Sequence, residues 1–279
     1  MWKSLVKSKT GLMGLVLVLL VVFLALAADF ISPHDPNKLN IERKLLPPAW
    51  VDGGSSEFLF GTDQLGRDIL SRIIYGSRIT LLVAFFGTVL AGIIGVTLGA
   101  IAGYYGEIID TVIMRFVDIQ LAFPFILLAI FIVAVLGPGL RNIIIVAGIS
   151  GWVQYARLTR GEILSVKEME YIEAIRALGA KDGRIIVKHV LPNVISPVIV
   201  VATLGMARII LMEASLSFLG LGVPANIPTW GRMLSESKVH IFTTPSLAIA
   251  PTIAITLTVL SVNLLGDWLR DYLDPKLDV

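Results

Sequence analysis

The chain contains no cysteine, only three histidines, and few charges, with Asp, Glu, Lys and Arg making up 16% of 279 residues. The absence of cysteine excludes disulfides, thiolate metal sites and cysteine nucleophiles. His34, His189 and His240 are scattered, which argues against a zinc cluster, so no metal site is expected. With 23 basic and 21 acidic residues the formal charge is only +2, too little for a global basic field that would attract nucleic acid. Enzymatic signatures are missing as well. No Gly-x-x-x-x-Gly-Lys-Ser/Thr phosphate loop, His-Glu-x-x-His zinc helix or Gly-x-Ser-x-Gly nucleophile elbow occurs. No catalytic residue and no cofactor is therefore expected, and any ATP must be handled by another chain.

What is plentiful is apolar surface. Hydrophobic residues make up 56% of the chain, more than a soluble core of this size can hide, so the solvent is lipid. Roughly 20 apolar residues at a rise of about 1.5 Å cross the hydrocarbon layer. Long uncharged or sparsely charged runs at 11–28, 79–106, 119–140, 142–156, 190–219 and 241–266 predict six transmembrane helices in an all-α, polytopic membrane bundle. The first run follows Lys3, Lys7 and Lys9 and ends in "ALAAD", so a cleaved export signal is the competing reading. Its length, and the odd number of spans cleavage would leave, favour a retained helix. With the N-terminus in the cytoplasm, the inner segments hold thirteen Lys and Arg and the outer segments nine. That bias places both termini, and the basic segment 157–188, on the cytoplasmic side.

That basic segment has a readable shape. Tyr171, Ile172, Ile175 and Leu178 recur at helical spacing, with Glu170, Glu173 and Arg176 free to face the other way. Gly179 suits a C-terminal cap, Asp182 an N-cap for a second short helix, and Pro192 a stop. Helices this short need a surface to dock on. Spacing alone leaves open whether that surface is lipid headgroups or protein.

Within the spans, Ala91, Gly95, Gly99 and Gly103 repeat every fourth residue and predict a smooth stripe for close helix packing. Pro124 and Pro197 are expected to kink or relax their helices. Arg208 and Glu213 interrupt the fifth run, turned roughly 140° apart on a helix and so poor partners for each other. Intramembrane charges face protein or a watery cavity, which leaves two readings: a translocation pathway or an ion pair to a neighbouring subunit. On the outer side, 32–78 is too polar to cross lipid, and its turns "SPHDPN", "LPPAW" and "VDGGSSE" read as ordinary loop. In "LGRDILSRIIYGSR", Leu65, Ile69, Ile73 and Ile74 can face one way and Arg67, Asp68, Ser71 and Arg72 the other, which predicts a helix lying along the membrane surface.

Glu173-Ala174, then Gly179, then Leu191-Pro192, in the last cytoplasmic loop of a six-span chain, resemble the "EAA" loop of ABC importer permeases. Ile175 and His189 depart from that pattern but leave the helix, the glycine turn and the proline in place. "FGTDQLGRDILSRIIYGSRITL" (60–81), "AGYYG" (102–106), "EASLSFLGLG" (213–222) and "NLLGDWLRDYLDPKL" (263–277) are similar to the dipeptide/oligopeptide/nickel branch, in its C-type subunit. The resemblance implies a type I ABC importer permease fold whose coupling helix docks on an ATPase subunit through Glu173, Ala174, Gly179, Leu191 and Pro192. It also implies a second homologous permease making a heterodimer, two ABC ATPase subunits and an extracytoplasmic substrate-binding protein, all in a prokaryotic inner or plasma membrane. The solute implied is a dipeptide or oligopeptide, with nickel, glutathione or sugars as alternatives. An ion-coupled secondary carrier and a structural scaffold are the readings outside this class. The expected organisation is 1–31 as N-terminus and first helix, 32–76 as outer loop with its interfacial helix, 77–267 as permease core with the coupling loop at 157–192, and 268–279 as cytoplasmic tail.

Overall fold

The computed structural model describes residues 2–273. The expectations for 274–279, Lys276 among them, lie outside the described residues. Helix α1 (Lys9–Leu26) starts where the Ser8 hydroxyl accepts a hydrogen bond from the Gly11 amide at 3.1 Å. Helix α2 (Ile69–Tyr105) starts where the Asp68 carboxylate accepts from the Ser71 amide at 2.9 Å. Helices α3 (Glu107–Leu121) and α4 (Phe125–Leu136) form a pair bent by 92°. Apart from the short helices Trp2–Lys7 and Ala28–Ile31, which flank α1, the other α-helices are α5 (Leu140–Lys167), α6 (Glu170–Ala177), α7 (Asp182–Phe218), α8 (Trp230–Ser237) and α9 (Ser246–Leu273).

The bundle is organised around α2 and α5, and small residues set their separation. A Cβ added at Gly95 would sit 2.5 Å from Tyr155 Cβ, at Gly99 2.9 Å from Ala156 Cα, and at Gly103 3.0 Å from the Arg160 carbonyl oxygen. Two backbones approach this closely only where side chains are missing. Helices α7 and α9 pack together where Gly266 faces Thr203, and α1 lies on α9 where Gly11 fits against the Trp268 ring. Buried Val83, Ile143, Val146, Ile209 and Leu216 join α2, α5 and α7 in one apolar core. Phe85, Phe86, Ile93 and Phe131 point outward, as side chains in contact with lipid tails do.

Four helices, α1, α2, α7 and α9, are long and apolar enough to cross a membrane, and the α3–α4 pair makes a fifth if read as one broken span. Two of the six expected runs take a different form from the one expected. The run 119–140 is not one helix, because Pro124 is extended (ψ 127°) and α3 has ended before it. Helix α5 extends well past the run 142–156 and packs along α2, from Ala147 beside Gly87 to Ile163 beside Gly103, so it runs between the same two ends of the bundle as α2 although it is less apolar than the other long helices.

Three further expectations are corrected. The surface helix drawn through 65–78 is the first turns of α2, which runs unbroken across 76–77. Both faces are buried: Arg67, Asp68, Ser71 and Arg72 are all inside together with Ile69 and Ile74, whereas Leu65 is exposed. Pro192 does not end a helix. A π-helical turn, Ile186–Val190, precedes it, and α7 continues through it to Phe218. Proline is tolerated there because it stands in the first positions after the wider turn, and the His189 carbonyl is served by the Asn193 side-chain amide at 2.6 Å. Asp182 is the first residue of its helix and not its cap, since its carboxylate accepts from the Tyr104 hydroxyl at 2.7 Å.

Candidate functional site

One end of the bundle carries the segment 168–192. After α6, Gly179 takes φ +81°, a left-handed conformation that costs other residues about 1–2 kcal/mol, and reverses the chain. On the inward side Ile172, Ile185, Val190 and Val194 are buried together with Tyr104 of α2 and Ile163 of α5, and half-buried Ile175 and Leu191 join them. Of the four apolar residues at helical spacing, Ile172 and Ile175 thus face in, while Tyr171 and Leu178 do not. Tyr104 is the polar anchor: it donates to Asp182, and Arg176 donates to it at 3.2 Å and stacks over its ring. That bond holds the Arg176 pKa above its ordinary value. On the outward side Glu173, Ala174, Gly179 and Pro192 are exposed, and Leu178 is 88% exposed among charges.

The opposite end holds an arrangement that reading by period missed. Asp63 accepts from the amides of Leu65 and Arg67 at 2.9 and 3.0 Å, from Arg67 Nε at 2.7 Å, and from Arg72 Nη1. Glu236 of α8 accepts from Arg67 Nη2 at 2.8 Å and Arg72 Nη1 at 2.9 Å. Arg232 Nε also donates to Glu236 at 3.3 Å, so three guanidinium groups share two carboxylates, and Arg72 is only 1% exposed. Trp230 adds a clamp, donating from Nε1 to the Ile73 carbonyl at 2.9 Å beside Gly76. The cluster ties the loop 32–68 and the start of α2 to α8. Nearby, Arg78 pairs with Asp29 at 2.7 Å, and its hydrogen bond holds that carboxyl below the ordinary range. In "TDQLGRDILSR" the only local signal was that Asp63 and Arg67 stand four apart.

Arg208 and Glu213 are separated by the structure. Arg208 is exposed and lines a cavity of about 460 Å³ between α3–α4, α5 and α7. Glu213 does not line it. Its carboxylate is buried, accepts from the Ser217 hydroxyl at 2.7 Å, and lies where α8 crosses α7, Gly231 resting on Ala214. The glycines 95, 99 and 103 lie at the α2–α5 contact, Gly103 reaching the end that carries the segment 168–192. Among the described residues no group of His, Asp and Glu is arranged to hold a metal ion.

A bundle of long apolar helices, with a broken span lining a cavity and a short folded segment at one end, defines a polytopic membrane permease. Residues 95–279 match the family described as binding-protein-dependent transport system inner membrane component, and residues 1–48 match the N-terminal transmembrane domain of oligopeptide transport permease C. The chain belongs to this binding-protein-dependent permease family and is a permease component of an ABC importer. It is 46% identical, over 99% of its length and 89% of the relative's, to a dipeptide transport system permease protein of Alkalihalophilus pseudofirmus. It is 44% identical to a di/tripeptide transport system permease of Pseudomonas aeruginosa, over 99% and 91% of the two chains. A glutathione transport system permease of Pectobacterium atrosepticum is 42% identical, over 99% and 90%. In fold it is similar to the MetNI methionine ABC transporter in an inward-facing conformation, with TM-score 0.59 and 19% identity, over 73% of this chain and 96% of that one.

Proposed function

We propose that this chain is one of two permease subunits through which two ABC ATPase subunits import short peptides handed over by an extracytoplasmic substrate-binding protein. The observation that carries the reading is the two-faced segment 168–192. Its inner face is packed into α2, α5 and α7, and its outer face offers Glu173, Ala174 and an unpartnered Leu178 to another protein. A segment rooted in that way transmits displacement to the bundle instead of bending away from it. Glu173, Ala174, Gly179, Leu191 and Pro192 then form the contact with the ATPase and its hinge, which puts this end and both termini in the cytoplasm, as the distribution of Lys and Arg also favours.

In this reading ATP binding draws the ATPase subunits together and moves the segment. Movement of one rigid element biases the balance between inward-open and outward-open states, and hydrolysis restores it. Arg208, on the cavity, belongs to the pathway, while Glu213 holds α8 on α7. The packed stripe Gly95, Gly99 and Gly103 keeps α2 and α5 moving as one body. Dipeptides are favoured as solute by the names of the 46% and 44% identical relatives; the glutathione permease at 42% shows that related chains serve other cargo. The test is reconstitution in liposomes. Uptake of a labelled dipeptide should require the second permease, the ATPases, ATP and the binding protein together, and uptake by this chain alone would refute the proposal.

A further inference from the structure

The cavity beside Arg208 has a chemistry that goes beyond a passive wall. Its sides are mostly apolar, with Phe123, Phe125 and Met212 among them, and no acidic residue lines it. Gln120 is fully engaged: its amide nitrogen donates to the carbonyls of Ile149 and Ser150 at 2.9 and 3.2 Å, and its oxygen accepts from Trp152 Nε1 at 2.7 Å. It shapes the wall and leaves nothing for a ligand. Tyr155 and Ser150 also line the cavity, but their hydroxyl oxygens are buried in the wall without a hydrogen-bond partner among the described residues, while Gln154 is exposed on the same wall. Arg208 has no carboxylate partner among the described residues either. A guanidinium without a carboxylate partner, on a largely apolar cavity that holds no acidic residue, points to an anionic acceptor that comes and goes.

We infer that this cavity is a transient subsite for the carboxylate end of a short peptide, with Arg208 binding the carboxylate and the apolar wall receiving a side chain. The inference rests on the pathway reading above and narrows its solute. Guanidinium and carboxylate form a two-pronged, charge-assisted pair, strengthened where water is scarce. A bare divalent cation meets the opposite: a fixed positive charge and no anionic ligand. The volume of about 460 Å³ falls within the ordinary range for small-molecule sites.

The complete transporter, both permeases with both ATPases, provides the test, because this chain has no cysteine of its own. With the second permease also freed of cysteine, Ser215→Cys places one permease thiol on the cavity wall, and its rate of maleimide labelling is followed in the purified complex. Millimolar Ala-Phe should slow labelling about tenfold, which corresponds to about 90% occupancy of the site, while its C-terminal amide, without the charged acceptor, should not protect. Adding Arg208→Gln should abolish the protection, and Arg208→Lys should keep part of it. Equal protection by peptide and amide, or none by either, overturns the subsite. So does loss of the second permease from the Arg208→Gln complex, because Arg208 would then be pairing with a carboxylate of that subunit. If the wild-type complex fails to import any peptide with ATP and binding protein, the function itself is refuted; if it imports while labelling is unprotected, only the subsite falls.

Discussion

Arg72 shows how far a side chain's role depends on what lies beyond its own helix. On the pattern of its neighbours it belongs on a wet face; in the fold it is buried between Asp63 and Glu236. Removing one member of a buried ionic group strands the rest, so Arg72→Ala should cost about 3–5 kcal/mol, whereas an exposed pair is worth about 0–1 kcal/mol. Arg43, paired with Glu57 at the surface, is the matched control. Thermal unfolding of the purified complex should show a large drop for Arg72→Ala and almost none for Arg43→Ala. Glycines can be compared in the same way. A side chain at Gly99 would enter the Ala156 backbone, so Gly99→Val should lose roughly 1–3 kcal/mol by overpacking. Gly161, also helical, has nothing within 4 Å of an added Cβ, and Gly161→Ala should gain up to about 1 kcal/mol.

Among the elements, the segment 168–192 is where local chemistry and function meet. Its glycine turn was legible because φ +81° is glycine's territory, and its buried isoleucines because period 3.6 marks one face. The continuation through Pro192 was not legible, since a proline normally stops a helix and only the π turn before it makes room. Gly179→Pro should leave insertion and assembly intact while uncoupling ATP hydrolysis from uptake, because it removes the only residue type at ease in the turn. The ratio of phosphate released to peptide imported is the measurement, and it should rise several-fold. An unchanged ratio would mean the turn is not part of the coupling. Charge reversal at Glu173, on the exposed face, should act in the same direction.

For the whole molecule, the two ends are built differently: a folded, two-faced segment at one, an ion-locked cap of loop and helix at the other. A thiol at Ala174 should crosslink to an ATPase subunit in an assembled transporter, read as a shifted band on a gel. A complex that transports yet never crosslinks there would contradict the assignment of that end.

Composition and period alone determined that the chain lives in lipid, that it is helical, that α2 carries a smooth stripe, and that 168–192 has an apolar face, because each of these is a property of residues within a few turns of one another. The match of "EAIRALG" and its companion motifs to importer permeases was legible for the same reason. That the polar side of "GRDILSR" is buried along with its apolar side depends on Glu236, 164 residues away from Arg72. The separate fates of Arg208 and Glu213, one on a cavity and one under α8, likewise depend on helices distant in the chain. Those questions concern what a face is packed against, and only the tertiary fold, by bringing remote charges into a medium where they cannot remain unpaired, supplies the answer.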